Sequence, residues 1–331
     1  LAWGFLTSTL LEASITVLPI LRHRWERLMP LRSPPVRELG RSMIPFLVLG
    51  AGIHATPIIE RFYASRLPDG ELSYLGYASK ISSIMMALLG TGIATAIFPA
   101  MTRTHEASEG TGLVQALEYG FRLTVAVGLP VLAILSGLAV PIITVLFEGG
   151  AFQRVATLGV SRVIPIVLVG DLVFPMMTNL VERAYYAARD SHTVPIVATA
   201  RSGLYWVGAA VLVDVWGYRG LAWAQTLVTG LTLSVLLCLL RRRLGFRFGT
   251  IIGHTWVSGS ASLLAFLAAR LISSSLSFFP PLLRLSAGGA VAMALYIVVL
   301  YRADESTARE VLEITGVKQL ISRGRTLAGP Q

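Results

Sequence analysis

The sequence is dominated by blocks of apolar residues, each long enough to cross a lipid bilayer. The hydrocarbon core of a bilayer is about 30 Å thick, and about 20 apolar residues in a helix span it. Of the 331 residues, 54% are hydrophobic and 14% are charged, whereas soluble domains carry about 25% charged residues. A soluble chain of this composition would expose large apolar patches. The sequence therefore predicts an all-α polytopic membrane protein.

We predict nine spanning helices. Some of them contain proline, which membrane helices tolerate because neighbouring groups satisfy the freed carbonyls. The first block is apolar from Leu1 and has neither a basic start nor a small-residue cleavage site, so we expect a spanning helix rather than a signal peptide. Because the chain does not open with Met, we also expect sequence upstream. The predicted spans are Leu1–Ile20, Met43–Tyr63, Tyr74–Met101, Tyr119–Val140, Val155–Asn179, Val194–Val213, Leu221–Leu240, Ile251–Ser273 and Pro281–Tyr301.

The basic residues alternate in density from one connection to the next. Eighteen Lys and Arg residues fall in the connections after the odd-numbered spans, including the tail, and four fall in or at the edge of the alternate connections. Lys and Arg are enriched in cytoplasmic loops of membrane proteins. The bias predicts that Leu1 lies outside and that the C-terminus is cytoplasmic. An odd number of spans likewise places the two ends on opposite sides of the membrane.

Lys80 is one of the charged residues within the predicted spans, where charge is costly. An Arg, Lys or Asp at the centre of a spanning helix costs about 2.5–3.5 kcal/mol on insertion scales. Lys80 lies about two turns into the third span, so its long side chain reaches the interface by snorkelling under one interpretation. Under the other, it faces a water-filled cavity that binds an anionic substrate. The sequence leaves both interpretations open.

Glu60 and Arg61 lie at the end of the second span. Adjacent residues do not share a helix face, so at most one of them faces the interior. Under one interpretation both residues mark the outer end of the helix. Under the other, one of the two faces the cavity as an ion or proton site.

Asp171 lies deep in the fifth span, with Arg162 nine residues before it. That spacing puts the two side chains on roughly opposite faces, so we do not expect them to pair with each other. Arg201, in the sixth span, reaches Asp171 only if the bundle brings the two to the same depth. These buried charges therefore belong either to structural ion pairs or to a polar cavity.

The sequence contains no pattern typical of an active site or a resident cofactor. The five histidines show no metal-binding spacing, and the single cysteine, Cys238, lies in an apolar block. There is no phosphate-binding loop of the ATPase type and no nucleophile elbow. Because these patterns are missing, we expect no enzymatic activity, no metal and no cofactor. The net charge of +10 reflects Lys and Arg residues between the apolar blocks, so we do not expect nucleic-acid binding.

Several short motifs resemble the MurJ/MviN flippase family. They are Ile58-Ile59-Glu60-Arg61 followed by Leu67-Pro68 and Gly70, Tyr77-Ala78, Phe98-Pro99, Leu146-Phe147-Glu148-Gly149-Gly150-Ala151-Phe152, Tyr186-Ala187-Ala188-Arg189-Asp190 with Thr193 and Pro195, and Gly217 with Gly220-Leu221-Ala222. Each motif is weak alone, but together they occur in family order and at family spacing along essentially the whole chain.

The resemblance implies a bundle of the MOP exporter superfamily, similar to the MATE transporters, with two lobes around a central cavity. Members of the family move lipid II, an undecaprenyl-pyrophosphate-linked peptidoglycan precursor, across the bacterial inner membrane by alternating access. By position, Lys80 matches a cavity arginine of the family. The resemblance therefore implies that Lys80 and Arg61 contact phosphate, and that Glu60 or Asp171 binds a coupling cation or proton.

The resemblance also implies a division of the chain in which the first helices of the family are missing. Residues 1–20 would be the last helix of the N-terminal lobe, and residues 21–42 a basic cytoplasmic linker. Residues 43–240 would form the C-terminal lobe of six helices. Residues 241–301 would form two additional helices, and residues 302–331 a cytoplasmic tail.

Two positions depart from the family pattern, with lysine at position 80 and glutamate at position 60. Lysine keeps the charge but loses the bidentate fork of arginine. The sixth span has no Asn and no Asp before Asp214, so the sodium-site residues of some members are absent. These departures leave two alternatives open: a flippase for another polyprenyl-linked glycan and a degenerate, non-transporting homologue. A drug exporter is disfavoured because the spans hold more Arg and Lys than acid, and a lipid-modifying enzyme because no loop carries clustered carboxylates.

Overall fold

The structure is a computed structural model. It describes residues 55–90 and 111–309, apart from residues 64, 69, 151, 191, 245–248 and 306, together with the isolated positions Leu11, Ser14 and Gly40. Both ranges belong to a compact unit that extends from Val48 to Gln331. The first predicted span, parts of the second and third, and the end of the tail lie outside the described residues.

The described ranges contain ten α-helices and two π-helical turns, followed by helical residues 305 and 307–309, and no β-strand. Helix α1 includes residues 55–63. The helices that follow are α2 (Glu71–Met85), α3 (Thr111–Gly137), α4 (Ala139–Phe147), α5 (Arg154–Leu168), α6 (Phe174–Ala187), α7 (Thr193–Trp216), α8 (Tyr218–Leu244), α9 (Gly249–Ser275) and α10 (Pro281–Ala303). The π-helical turns are Met86–Gly90, after α2, and Val169–Val173, which joins α5 to α6.

Among the described residues, six helical segments are long and apolar enough to cross a membrane. They are Gly112–Gly137, Arg154–Ala187, Thr193–Trp216, Tyr218–Arg243, Thr255–Ser275 and Pro281–Ala303. They correspond to the fourth to ninth predicted spans. The helical prediction is therefore confirmed for this part of the chain, and the total of nine stays a prediction.

Two predicted spans differ from the structure by more than a few residues at one end. The fourth begins at Thr111, eight residues before the prediction, and ends at Gly137. The fifth continues to Ala187, so Arg183, which follows the predicted end at Asn179, lies within α6. Hydropathy detects only the apolar part of a helix, whereas backbone hydrogen bonding extends the helix through its amphipathic turns.

The helices pack through small residues and a few buried hydrogen bonds. Helix α9 lies against α3 and α10, and its Ala261, Ala265 and Ala269 are fully buried. Small residues let membrane helices approach closely. The buried hydroxyl of Tyr296 donates to the carbonyl of Ala126 at 2.6 Å, which fixes α10 on α3.

The turn Val169–Val173 interrupts the long α5–α6 segment in the middle of the bundle. Here the hydroxyl of Thr226 in α8 donates to the carbonyl of Ile166 at 2.9 Å. A Cβ on Gly170 would lie 2.4 Å from that hydroxyl oxygen, so only glycine lets the two helices approach. π-Helical turns often mark functional positions, and this one carries Asp171.

Candidate functional site

Helix α2 presents a serine and a lysine in different directions. Successive residues of a helix are about 100° apart around its axis. The hydroxyl of Ser79 donates to the Oδ2 atom of Asp171 at 3.1 Å, and the neighbouring Ala78 and Ile81 are buried. Lys80 is exposed. The helix therefore directs Ser79 into the bundle and Lys80 onto an open surface.

Asp171 and Glu60 belong to a polar cluster, which we define as Glu60, Ser79, Asp171, Tyr205 and Gln225. Four of the five, all except Tyr205, line one small cavity between α1, α2, the π-helical turn and α8. The volume open to the centre of a water molecule is about 10 Å³, and a buried water needs roughly 10–15 Å³ by this measure. The cavity is therefore the size of about one water molecule or small ion.

Two polar atoms of this cluster have no hydrogen-bond partner among the described residues. They are the hydroxyl of Tyr205, a residue that is 1% exposed, and the Oε1 atom of Gln225. The Tyr205 hydroxyl lies near the Glu60 carboxylate, and the Gln225 side chain lies near Asp171, but neither contact has standard hydrogen-bond geometry. Buried polar atoms normally find partners, so the cluster has spare capacity for a ligand.

Arg201 lies at the edge of the polar cluster, near two acidic side chains. It is close enough to Asp171 and to Glu182 of α6 to attract both, although no ion pair with either forms within the described residues. The bundle thus brings the Arg201 guanidinium within electrostatic range of the Asp171 carboxylate. A positive charge beside two carboxylates reduces the cost of holding them within the membrane.

Arg61 and Lys80 lie apart from the cluster on exposed surfaces. Glu60 lines the cavity whereas Arg61 is exposed, so the two adjacent residues do face different ways. The structure does not bring Arg61 into the cavity with Glu60. The phosphate contacts of Arg61 and Lys80 stay predictions.

Arg162 occupies a different part of the bundle from Asp171. It lines a cavity of about 770 Å³, which we call the end cavity, near the first residues of α2, α5 and α8. Asp171 lies more than two turns further along the same helical segment. The prediction that Arg162 and Asp171 do not pair agrees with this placement.

Two of the family-like motifs form hydrogen-bonded connections outside the spans. In the first, the hydroxyls of Thr144 and Thr157 both donate to the Oε2 atom of Glu148 at 2.8 Å, and Arg154 lies 3.3 Å from the same atom. These hydrogen bonds and the guanidinium lower the pKa of Glu148.

In the part of the chain that the structure describes, no three His, Cys, Asp or Glu side chains are grouped as a metal site would require.

The second motif centres on Asp190, between α6 and α7. Its carboxylate accepts hydrogen bonds from the N–H groups of His192 and Thr193, both at 3.1 Å, and from the Thr193 hydroxyl at 2.7 Å. Arg243, at the end of α8, forms an ion pair with it. Burial alone would raise the pKa of Asp190, but these donors together hold it below its ordinary value.

The sequence reasoning identified the charged members of the polar cluster but not the neutral ones. Ser79, Tyr205 and Gln225 are uncharged, so they did not stand out within the predicted spans. Of these three residues, Gln225 could have been identified from the sequence, because an amide side chain in an apolar segment needs a hydrogen-bond partner. Glu182 was missed because it lies beyond the predicted end of the fifth span.

The chain can now be compared with known proteins. A model of the family described as "Lipid II flippase MurJ" matches residues 1–287. The chain belongs to the MurJ family. Curated relatives include the "Probable lipid II flippase MurJ" of Vibrio cholerae serotype O1, which is 28% identical over 205 residues, 62% of this chain and 39% of the relative. That of Bdellovibrio bacteriovorus is 24% identical over 244 residues, 73% of this chain and 46% of the relative.

The chain thus spans less than half the length of these MurJ relatives. Solved structures show the same fold. "Lipid II flippase MurJ, inward closed conformation" matches with a TM-score of 0.64 and 19% identity, and the match covers 81% of this chain and 56% of that one. An outward-facing MATE family transporter of the MOP superfamily matches with a TM-score of 0.53 and 16% identity, over 88% and 72% of the two chains. The predicted family and the predicted MOP-type helical membrane fold are confirmed.

Proposed function

We propose that this protein acts as a flippase that moves lipid II across the bacterial inner membrane by alternating access. The match of the MurJ family model to residues 1–287 carries this proposal. The relatives that bear the name are more than twice as long as the segment they share with this chain. The proposal therefore concerns the complete protein, to which this chain contributes a compact helical part.

Lys80 is the residue that we assign to the pyrophosphate of the substrate. A lysine in an apolar bundle is costly unless its ammonium group reaches water or an anion. The Lys80 side chain is exposed on α2, so it meets this condition. Among the described residues it forms no ion pair. An ammonium group in an aqueous cavity attracts a diphosphate without the planar geometry that arginine requires. Arg61, which is also exposed, is the second residue that we assign to phosphate.

The polar cluster is the candidate coupling site. Glu60 and Asp171 place two carboxyl groups around a cavity of about one water molecule, with Arg201 nearby. One further positive charge, from a proton or a small cation, would leave this group of charges close to neutral. We propose that Glu60 and Asp171 take up that charge during the transport cycle. Nucleotide hydrolysis has no part in this mechanism.

The orientation in the membrane follows from the distribution of basic residues. Arg241, Arg242 and Arg243 form the last turn of α8, and arginine-rich helix ends lie in the cytoplasm. We propose that this end of α8 and the C-terminus are cytoplasmic, and that the end cavity faces the outer side.

The test is transport by the complete protein, reconstituted in vesicles with fluorescent lipid II on one face. We expect Lys80→Ala to reduce the initial rate at least about tenfold, because one charge-assisted contact is worth about 1.5–3 kcal/mol. Lys80→Arg should retain most of the rate. Arg270→Ala, which removes an exposed arginine of α9, serves as the control and should leave the rate unchanged.

Three results would count against the proposal. If Lys80→Ala transports at the parental rate, Lys80 is a snorkelling residue and the phosphate assignment is wrong. If the parental protein moves another polyprenyl-linked glycan but not lipid II, the substrate is that glycan. If it moves neither, the protein is a non-transporting homologue.

A further inference from the structure

The end cavity lies apart from Lys80 and the polar cluster. Its volume of about 770 Å³ falls within the range of small-ligand sites, about 300–1,000 Å³. It opens at the end of α8 that is opposite Arg241–Arg243. Along α2, the cavity residue Glu71 precedes Lys80 by nine residues, which is about 13 Å of helix and half a turn around the axis. The two positions are therefore separate.

The cavity is lined by two arginines and one acid. Arg162 is exposed and forms no ion pair within the described ranges, in contrast to Arg154 in the same helix, which is held by Glu148. Arg219 lies with its guanidinium 5.8 Å from the ring of Tyr218. Glu71 packs toward the backbone of Gly217 at the cavity wall. The side chains thus leave a net positive charge facing the space.

The backbone contributes to the same electrostatic field. Residues from the first three turns of α5 and the first two turns of α2 and α8 line the cavity, whereas only α7 contributes its C-terminal end. Helix N-termini carry partial positive charge and C-termini partial negative charge. Three of the helix ends therefore attract an anion, and one repels it. Side chains in a helix tilt toward its N-terminus, which directs Arg162 back toward the ends of these helices. Side chains and backbone therefore both favour an anion.

The floor of the cavity is built by a close approach that requires glycine. A Cβ on Gly159 would lie 2.6 Å from the ring of Tyr74, and the hydroxyl of Tyr218 lies 3.4 Å from the Gly159 carbonyl. The two tyrosine rings contact each other edge to face at 5.3 Å. The floor is therefore a packed surface of defined shape rather than a gap between loosely placed side chains.

The rim of the cavity has the composition of a membrane interface. Trp216 and Trp223 have ring centres 6.5 Å apart and are 52% and 39% exposed, and tryptophan is enriched at the level of lipid headgroups. Val155 and Val215, also at the rim, are 72% and 68% exposed. A cationic cavity with an apolar, tryptophan-bearing rim suits an anionic group that is attached to a lipid better than it suits a free metabolite.

We propose that the end cavity binds the phosphate group of a lipid headgroup through Arg162 and Arg219. Phosphate is the anion whose geometry matches the guanidinium fork. The lipid has two available sources: an anionic phospholipid of the surrounding leaflet, or the diphosphate lipid that the protein is proposed to transport. The site requires only the charge and shape of the cavity, so it stands whether or not Lys80 takes part in transport.

The test is native mass spectrometry of the complete protein with phosphatidylglycerol, phosphatidylcholine or lipid II added singly. We expect Arg162→Gln with Arg219→Gln to reduce phosphatidylglycerol or lipid II retention at least about tenfold, because two charge-assisted contacts are lost. The double lysine variant keeps the charge without the fork and should retain an intermediate amount. Arg270→Gln, an exposed arginine of α9 outside the cavity, and Lys80→Ala should not change phosphatidylglycerol retention.

The outcomes separate the two sources. Loss of phosphatidylglycerol alone identifies a phospholipid site, and loss of lipid II alone identifies a second contact for the transported headgroup. Loss of phosphatidylcholine, which has a phosphate but no net charge, to the same extent would show that the arginines do not select an anionic lipid, and would overturn the proposal. Unchanged retention of both anionic lipids in a double glutamine variant that elutes as the parental protein does would also overturn it.

Discussion

Asp190 connects three parts of the bundle, and its removal has a calculable cost. The carboxylate binds two N–H groups and a hydroxyl at the start of α7, and it pairs with Arg243 of α8. Side-chain acceptors at a helix N-terminus contribute about 1 kcal/mol. The Arg243 side chain is 59% exposed, so its ion pair adds less than about 1 kcal/mol. We expect Asp190→Ala to lower the free energy of unfolding by about 1–2 kcal/mol.

Two further variants separate these contributions. Asparagine is as effective as aspartate at a helix N-terminus, so Asp190→Asn should lose only the charge-dependent part, about 1 kcal/mol or less. Arg243→Gln should lose the same part. Because the pKa of Asp190 is lowered in the folded protein, its stabilisation is fully present above the unfolded value of about 3.9. It is lost as the pH falls through the folded value.

The assay is equilibrium unfolding in mixed detergent micelles, followed by tryptophan fluorescence at pH 7. The order of stability should be parental, then Asp190→Asn together with Arg243→Gln, then Asp190→Ala. If Asp190→Ala matches the parental protein within about 0.5 kcal/mol, the size of an ordinary surface substitution, the hydrogen bonds at the start of α7 contribute nothing. If Arg243→Gln costs as much as Asp190→Ala, the ion pair rather than the helix start carries the stabilisation.

Two other predictions use the same unfolding assay. Glu148→Gln should lower the free energy of unfolding by about 1–2 kcal/mol at pH 7, because two threonine hydroxyls and a guanidinium bind its carboxylate. The difference from the parental protein should shrink as acid protonates Glu148 below its lowered pKa. Glu305→Gln, at an exposed acid, should leave the free energy of unfolding almost unchanged. Gly220→Ala should cost about 3 kcal/mol or more, because its Cβ would lie 1.9 Å from the carbonyl oxygen of Leu212. Gly253→Ala, with nothing near its Cβ, should be neutral or stabilising; equal effects at the two glycines would contradict the packing argument.

The helices were predictable from the sequence because the bilayer imposes a strong constraint. Backbone groups in hydrocarbon must be satisfied internally, so each long apolar block becomes a helix, as α7 to α10 do. The interruption at Val169–Val173 was not predictable, because it depends on the contact of Gly170 with Thr226 in another helix. The ends of α6 were misjudged because Arg183 and Glu182 lie in helical turns that hydropathy does not detect.

The candidate site was predictable only in its charged members. Glu60 and Asp171 stood out because charge within a membrane is costly. Their grouping with Ser79 and Gln225 depends on how α1, α2 and α8 pack around the π-helical turn, and a single sequence carries no such distances. Arg162 stood out for the same reason as Asp171, but only the structure shows that it lines a separate cavity.

The central claim is that this protein binds a diphosphate lipid through Lys80. The most direct test is native mass spectrometry of the complete protein with lipid II, comparing the parental protein with Lys80→Ala. The account predicts that lipid II is retained by the parental protein and that retention falls at least about tenfold in the variant. Equal retention by the two proteins would contradict the assignment of Lys80, and no retention by either would contradict lipid II as the substrate.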